Sequence, residues 1–462
     1  MRSEFSRRQF LKQTVATAGL VAAAGESATA ASGRFRAACV KVDITPDRPQ
    51  WLHGYAPRRS VGVHDRIYHR IAALHDGRTT FFLVSSDICT ISPAFYQAFC
   101  KKLEQQTGIK PAQVWWCTTH THSAPHVGPH DLGPLFARTL GDRFSIQHDT
   151  AYWTWVVDRL IGGIRQARSR LQPARLGMGT ARANVNRRQR RPDGRIVLGV
   201  NPDGPVDRQI GLVRLERHDG TLIGLIVNYA IHGTALGGGN KLISGDVPGF
   251  VAAYVERKLG APMLFINGAE GNVAPRYSVG SNINDPRLKE YDHLLGDPIL
   301  AANVSIAKTT AEVSLSLGKT VIETPRRPGL GWPKVLAEYA SVADSGSPQV
   351  RVPVYSLVIN RDTVIWAAPL ELFSEIALKI RAASPIANTF YFGLTNGSLL
   401  YLPTKAAFAE GGYEPAVSPF TDRVGFHDRR RPVPAAIARA TGSLTGPSLV
   451  YSCTKSASRR LR

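Results

Sequence analysis

Residues 114–123 read VWWCTTHTHS, an apolar run that ends in two histidines one residue apart. A short apolar run bounded by polar residues is typical of a buried β-strand. Side chains two positions apart on a strand point to the same face, so we expect His120 and His122 to converge on one point. Imidazole is a common ligand of zinc and similar divalent metals. The stretch therefore predicts a strand with a metal site at its end, although a hydrogen-bonded structural role for the pair stays open.

Strand-like and helix-like segments alternate on both sides of this stretch. The predicted strands are residues 80–88, 114–118, 222–230, 263–266, 363–367 and 389–394, and the predicted helices are residues 93–106, 152–171, 247–259 and 370–383. Such alternation predicts an α/β fold with large mixed β-sheet layers flanked by helices. Two Gly- and Pro-rich stretches, 191–205 and 326–332, are predicted to be long surface loops.

Polar or glycine-rich sequence follows five of the predicted strands. Ligands in open α/β sheets bind outside the carboxyl ends of the strands, so one shared active site is expected there. The segments concerned are residues 119–123, 231–234, 267–272, 369–371 and 395–397.

The first 30 residues have the pattern of a twin-arginine export signal. Arg7 and Arg8 precede a mildly apolar stretch and then the small-residue site Ala28-Thr29-Ala30. This order predicts cleavage after Ala30, passage through the Tat export machinery and a periplasmic or secreted mature protein. Residues 31–454 are then expected to form one catalytic domain, followed by a basic disordered tail at 455–462.

The chain of 462 residues is strongly basic, with a formal net charge of +22 at pH 7 and 43% hydrophobic residues. The composition is that of a globular protein with a sizeable core. The charge favours peripheral contact with an anionic membrane surface, with a merely solvated basic surface as the alternative. The basic runs 187–191 and 429–431 lack interleaved aromatic residues, so we expect no nucleic-acid binding. Five scattered cysteines without Cys-x-x-Cys spacing exclude a disulfide framework and a zinc knuckle.

Seven motifs, in order over roughly residues 40–415, resemble the neutral, non-lysosomal ceramidase family. They are residues 119–123, Asn186-Arg187, His232-Gly233-Thr234, Ser244-Gly245-Asp246 with Gly249, residues 271–275, Pro369-Leu370-Glu371, and Tyr401 with Tyr413-Glu414.

The resemblance implies a role for each matching residue. Zinc would be bound by His120, His232, Glu371 and Tyr401, the scissile amide would face His122, Tyr413 and Arg187, and the substrate loop would contain Gly271, Asn272 and Ala274. Two imidazoles and a carboxylate leave an open position on zinc for a water, whose pKa the metal lowers. The expected function is an exported zinc-dependent hydrolase of a linear amide, such as N-acylsphingosine or another N-acyl lipid, that uses zinc-activated water.

Two residues of the substrate loop depart from the family pattern. Ala274 and Asn272 stand where the family ordinarily carries a serine and an aspartate. Because a methyl group cannot act as a nucleophile, either zinc-activated water attacks the amide or the chain is a catalytically silent binding protein. We favour the water mechanism because the expected metal ligands are present.

Several candidates also have purely structural interpretations. Glu371 would complement the positive end of a helix dipole, and Asp246 would cap the helix that follows it. Tyr401 and Tyr413 would pack as ordinary aromatic residues. His126 and His130 are expected to lie in a loop near the site without binding metal.

Overall fold

The computed structural model describes residues 34–129, 135, 149–277 and 287–422. The expected export signal, the basic tail, His130 and Cys453 lie outside these residues. In the described part of the chain, no helix is both long enough and apolar enough to cross a membrane.

The strands of the described residues are, in chain order, β1 Arg36–Asp43, β2 Trp51–Leu52, β3 Arg58–Arg59, β4 Gly62–Val63, β5 Tyr68–His75, β6 Thr80–Ser86, β7 Val114–Thr118, β8 Gln172–Pro173, β9 Arg175–Arg182, β10 Asn186–Asp193, β11 Arg195–Asn201, β12 Gln209–Glu216, β13 Leu222–Tyr229, β14 Leu242–Ile243, β15 Met263–Asn267, β16 Val273–Pro275, β17 Leu315–Pro325, β18 Ala340–Val342, β19 Pro348–Ile359, β20 Thr363–Ala367, β21 Glu371–Leu372, β22 Asn388–Phe392 and β23 Tyr401–Leu402. The α-helices are α1 Pro93–Thr107, α2 Thr150–Ser169, α3 Asp246–Leu259, α4 Arg287–Tyr291, α5 Asp297–Ser305, α6 Ser374–Ala383, α7 Lys405–Glu410 and α8 Tyr413–Val417. A π-helical turn, Asp292–Gly296, joins α4 to α5, and short 3₁₀ turns lie at Pro111–Gln113 and Lys334–Tyr339.

Three larger sheets among the described residues share one feature, a parallel pair of strands at one edge. The first sheet has the order β7-β6-β5-β1-β8, the second β15-β13-β12-β9, and the third β17-β19-β20-β22 with β18 paired to β19. The parallel pairs are β6/β7, β13/β15 and β20/β22, and all other neighbours in these sheets are antiparallel. Parallel neighbours need a crossover connection, which α1, α3 and α6 supply in turn. The fold therefore contains three βαβ units, one in each sheet.

The three sheets pack around a shared apolar core. In β6, Phe81 and Leu83 belong to this central core together with residues of the second and third sheets. The alternate residues Phe82 and Val84 face the opposite way and pack with residues of α1 and α2. A strand that is covered on both faces consists of a continuous run of apolar residues. The parallel strands are therefore recognisable in the sequence. The predicted α/β fold with helix-flanked mixed sheets is confirmed.

Two predicted segments are corrected by the structure. The helix expected at 370–383 starts only at Ser374, because Glu371–Leu372 forms strand β21 against β23. The surface loop expected at 191–205 is largely the hairpin of β10 and β11, which turns at Asp193-Gly194. Gly194 has a φ of +63°, and Asp-Gly is a common tight hairpin turn, a signal that the charged and proline-containing sequence obscures.

Candidate active site

The two histidines of the opening motif lie just beyond a strand rather than on it. Strand β7 ends at Thr118, and His120 adopts a left-handed conformation with φ of +64°. The expected pleat of a strand therefore does not orient the pair. The turn brings the two rings together nonetheless, with centroids 4.8 Å apart and planes nearly perpendicular.

His120, His232 and Glu371 form a compact buried group. Their ligand atoms all lie within 4.8 Å of one another. Glu371 Oε2 lies 3.4 Å from His120 Nε2 and 3.5 Å from His232 Nε2. His120 follows β7, His232 follows β13, and Glu371 follows β20. Each of the three parallel pairs thus sends one side chain to the same point, at the carboxyl end of its strands.

Backbone carbonyls orient both imidazoles of this group. His120 Nδ1 donates to the carbonyl of Cys89 at 3.1 Å. His232 Nδ1 donates to the carbonyls of Glu270 at 2.9 Å and Val273 at 3.0 Å. With Nδ1 bound to a carbonyl in each ring, Nε2 is the nitrogen that faces the partner ligands, as outer-shell hydrogen bonds arrange it at metal sites.

The charges of the group suit a cation. Burial by itself would raise the pKa of Glu371, but the nearby His120 and His232 outweigh it and hold that pKa well below its usual range. Glu371 Oε2 is buried and has no hydrogen-bond donor among the described residues. Two imidazole nitrogens and an ionised carboxylate oxygen are a donor set that zinc accepts, so these residues fit the expected metal.

Two tyrosines lie against the carboxylate side of the group. Tyr401 stands opposite Glu371 in the β21/β23 pair. The Tyr413 ring lies 5.7 Å from the Tyr401 ring. Burial raises the pKa of both phenols, and the neighbouring Glu371 raises it further. Both tyrosines therefore hold their protons unless a cation offsets the carboxylate.

His122 borders the group on its other side, with Nε2 3.2 Å from His120 Nε2. Its ring lies against Gly54, where a Cβ would come within 2.4 Å of His122 Cγ. Arg58 donates to the His122 carbonyl at 2.6 Å, and the Tyr55 ring lies 4.9 Å away. Burial lowers the pKa of His122 well below its usual value, and the two neighbouring imidazoles act in the same direction. His122 is thus a neutral imidazole held against the group.

Arg187 lies at the glycine-rich loop rather than among the imidazoles. Its guanidinium donates to the carbonyl and side chain of Asn184 and to the carbonyl of Asn186. Its neighbour across the β10/β16 pair is Ala274. The structure therefore joins Arg187 to the substrate-loop residues, and the described hydrogen bonds do not link it to His120, His232 or Glu371.

The glycine-rich loop supports Glu371 directly. A Cβ at Gly271 would lie 2.3 Å from the carbonyl oxygen of Glu371, so only glycine allows this approach. Asn272 accepts a hydrogen bond from the Ser374 backbone and donates to Glu375, which ties the loop to the start of α6. Ala274 is buried in β16. The side-chain oxygen and nitrogen of Asn272 are therefore both hydrogen-bonded to the first turn of α6.

Asp246 does not cap α3 as expected, because it is the first residue of the helix, Gly245 holds the N-cap position and no side chain caps that end. Its carboxylate accepts from the backbone of Val247 and also from Ala235 and Leu236, in the loop that follows His232. Burial raises its pKa to about 6. The residue therefore fixes the position of the His232 loop as well as the start of α3.

Three residues near the group are absent from the predicted site: Cys89, Gly54 and Glu270. Cys89 lies beside His120, and both carboxyl oxygens of Glu270 are buried without a hydrogen-bond partner among the described residues. No local signal in the sequence distinguishes them, because each is near the site only through the meeting of separate loops. The ring of His126 lies 4.6 Å from that of His53, and neither belongs to a candidate metal group within the described residues.

A profile of the family described as neutral/alkaline non-lysosomal ceramidase, N-terminal, matches residues 20–275, more than half of the chain. The matched segment contains His120, His122 and His232 and ends before Glu371. The chain is 27% identical over 268 residues to a neutral ceramidase of Pseudomonas aeruginosa, a match that covers 53% of this chain and 38% of that protein. It is 25% identical over 222 residues to a neutral ceramidase of Mycobacterium tuberculosis, covering 45% of this chain and 33% of that protein. The matches therefore span well under half the length of these relatives.

The fold has a counterpart among solved structures. The crystal structure of neutral ceramidase from Pseudomonas aeruginosa matches with a TM-score of 0.66 and 20% identity, over 89% of this chain and 73% of that one. A structure titled ceramidase complexed with C2 matches with the same TM-score at 19% identity. The sequence profile and the shared fold together lead to one conclusion: this chain belongs to the neutral/alkaline non-lysosomal ceramidase family.

Proposed function

We propose that this protein is a zinc-dependent hydrolase of a linear amide, with ceramide or another N-acyl lipid as substrate. The observation that carries the proposal is the meeting of His120, His232 and Glu371, one from each βαβ unit, with their free donor atoms facing one another. The sequence relatives named neutral ceramidase support the lipid amide as the substrate class.

The ligand residues have distinct tasks in this proposal. His120, His232 and Glu371 would hold the zinc, and Tyr401 would be a weak fourth ligand from the opposite strand that leaves a position open for water. Bound zinc would supply a Lewis acid for the amide carbonyl and would lower the pKa of a coordinated water to about 7. Burial of the ligands strengthens these electrostatic effects because water no longer screens them.

The proton transfers fall to residues that border the ligands. His122 is neutral and its Nε2 faces the centre, so it can accept a proton from the attacking water and return it to the leaving amine nitrogen. Tyr413 retains its phenolic proton and would donate a hydrogen bond to the oxygen that gains charge in the transition state. Arg187 would face the scissile amide from the side of the substrate loop, because it pairs with Ala274 across β10 and β16.

We also propose that the protein is exported by the Tat route and acts in the periplasm or outside the cell. The twin-arginine pattern at Arg7 and Arg8 supports this location, and the net charge supports contact with an anionic membrane surface. Fractionation of cells that express an Arg7→Lys, Arg8→Lys double variant tests the route, and unchanged export would contradict it.

A second candidate is a catalytically silent relative that binds lipid without hydrolysing it. The specific observation in its favour is Ala274, a buried residue without any nucleophilic group at the serine position of the family. The zinc ligands would then serve binding alone.

Metal analysis combined with turnover separates the two candidates. We expect one zinc per chain together with hydrolysis of a short-chain fluorescent N-acylsphingosine, and slower hydrolysis of simple N-acyl amides. His120→Ala should remove both zinc and activity, whereas His218→Ala, at an exposed position between β12 and β13, should change neither. Zinc without hydrolysis of any amide would favour the silent relative. Full activity in His120→Ala would overturn the assignment of that ligand.

A further inference from the structure

A thiol lies beside the candidate metal ligands at a position that the family resemblance does not assign. Cys89 follows β6 and is 3% exposed. Its Sγ lies 3.8 Å from His120 Nδ1. Cys89, His120 and His122 each offer a ligand atom, and these atoms lie within 4.8 Å of one another.

We propose that Cys89, His120 and His122 form a second cation position, selective for soft metal ions, that shares His120 with the His120–His232–Glu371 group and blocks that group when it is filled. Thiolate sulfur with two imidazole nitrogens favours soft ions such as Cd²⁺ and Cu⁺. The neighbouring group offers a carboxylate oxygen in place of the sulfur. The two positions therefore differ in the ions that they prefer.

The distances suit an ion after a small movement of one side chain. The ligand atoms of a tetrahedral zinc site, with metal–ligand bonds of about 2.0 Å to nitrogen and 2.3 Å to sulfur, lie about 3.5 Å apart. His120 Nε2 and His122 Nε2 are already 3.2 Å apart. The thiol sulfur lies within 4.8 Å of the other two ligand atoms, so it must approach them by at most about 1.3 Å, through rotation about its single side-chain torsion.

The two positions exclude each other because they compete for one lone pair. His120 Nδ1 donates its proton to the carbonyl of Cys89, so only Nε2 is free to bind a metal. One lone pair binds one cation at a time. An ion that is bound by Cys89, His122 and His120 therefore deprives His232 and Glu371 of their third ligand. His122 also loses its freedom to carry a proton. Inhibition of hydrolysis in this way rests on the proposed function, but binding of the soft ion does not.

Cadmium is the probe that distinguishes the two positions. A thiolate bound to Cd²⁺ gives an ultraviolet charge-transfer band, which imidazole and carboxylate ligands do not give. We expect the full-length protein, freed of metal by a chelator and titrated with CdCl₂, to develop this band up to one ion per chain. Cys89→Ser should abolish the band and weaken Cd²⁺ binding by at least about 10-fold. A loss of that size already follows when a residue that only hydrogen-bonds a metal ligand is removed, and Cys89 is proposed as a ligand itself.

Cys117→Ser is the matched control, because Cys117 is also buried and its Sγ contacts Thr395 Oγ1 instead of a histidine. It should keep the band. If the band persists in Cys89→Ser, or if the wild type binds Cd²⁺ without developing it, the proposal is wrong.

A second variant keeps the test decisive if circular dichroism shows that Cys89→Ser does not fold. His122→Ala retains the thiol and removes the third ligand, and it should also weaken Cd²⁺ binding by about 10-fold or more. Unchanged affinity would overturn the three-residue site. A protein that shows the cadmium band but hydrolyses no amide keeps this site and loses the proposed function, so the two failures can be told apart.

Discussion

Arg190 and Glu414 form an ion pair that is shielded from solvent, with Arg190 Nη1 2.8 Å from Glu414 Oε2 and side chains 1% and 0% exposed. Gln189 donates to the other oxygen of Glu414 and to the carbonyl of Gly271. Because Glu414 directly follows Tyr413, strand β10 fixes the position of that tyrosine relative to the glycine-rich loop. Part of the basic run 187–191 thus serves as an internal support for the site.

Removal of one partner from this buried pair should destabilise the protein strongly. We expect Glu414→Gln to lower the free energy of unfolding by about 3 kcal/mol, because Arg190 then keeps only the exposed Glu410 as a counter-charge. Urea denaturation measures the change. The control is Arg191→Gln in the exposed pair with Asp193, where the loss should stay below about 1 kcal/mol. Equal losses in the two variants would contradict a structural role for the buried pair.

Gly54 should control the orientation of His122. The backbone at Gly54 has φ of +97°, and a Cβ there would overlap the His122 ring. Gly54→Ala should therefore lower kcat by about 10²-fold, as displacement of a reacting group by 1 Å does, while zinc content stays at the wild-type value. Gly239→Ala is the control, because a Cβ at that position meets no atom within 4 Å. Normal turnover in folded Gly54→Ala would exclude a proton-transfer role for His122.

The Ala274→Ser variant tests which group attacks the amide. If activated water is the nucleophile, the new hydroxyl adds at most one hydrogen bond beside Arg187, and kcat/KM for the fluorescent N-acylsphingosine should change by less than about 10-fold. Ala274→Gly controls for the change in volume at this buried position. A gain above about 10²-fold in the serine variant alone would show that a serine at this position attacks or contacts the amide.

His69 should make stability depend on pH below neutrality. It is fully buried, and burial lowers its pKa from 6.5 to about 4. Trp116 Nε1 donates to Ser86 Oγ, Ser86 donates to His69 Nδ1, and His69 Nε2 donates to the carbonyl of Val156. This chain of hydrogen bonds satisfies the neutral ring only.

Between pH 6.5 and about 4 the unfolded chain binds a proton at His69 that the folded protein does not, so stability falls as the pH falls through this window. The resulting loss in the free energy of unfolding reaches about 3 kcal/mol near pH 4. In His69→Gln this part of the pH dependence should disappear in urea denaturation between pH 7 and pH 5, whereas exposed His218→Gln should retain it. Parallel pH profiles for wild type and His69→Gln would refute the assignment.

The three βαβ units are recognisable from the amino-acid sequence because their strands are buried on both faces. The predicted strands 114–118 and 363–367 coincide with β7 and β20, and the predicted crossover helices agree with α1, α3 and α6 within a few residues, except at the first turn of α6. The hairpin of β10 and β11 is not recognisable in this way. Charged residues and Pro192 dominate β10, and its other pairing partner, β16, lies far away in the sequence.

Fold class, family and the residue types available for a metal follow from the sequence, because apolar runs and motif order are properties of neighbouring residues. Which of those residues meet is settled only in three dimensions. His120 turns through a left-handed conformation, Glu371 leaves its expected helix for a two-residue strand, and Cys89 comes to lie against His120. These contacts join segments that are distant in the chain, and their geometry depends on the packing of three sheets around one core, which local patterns do not encode.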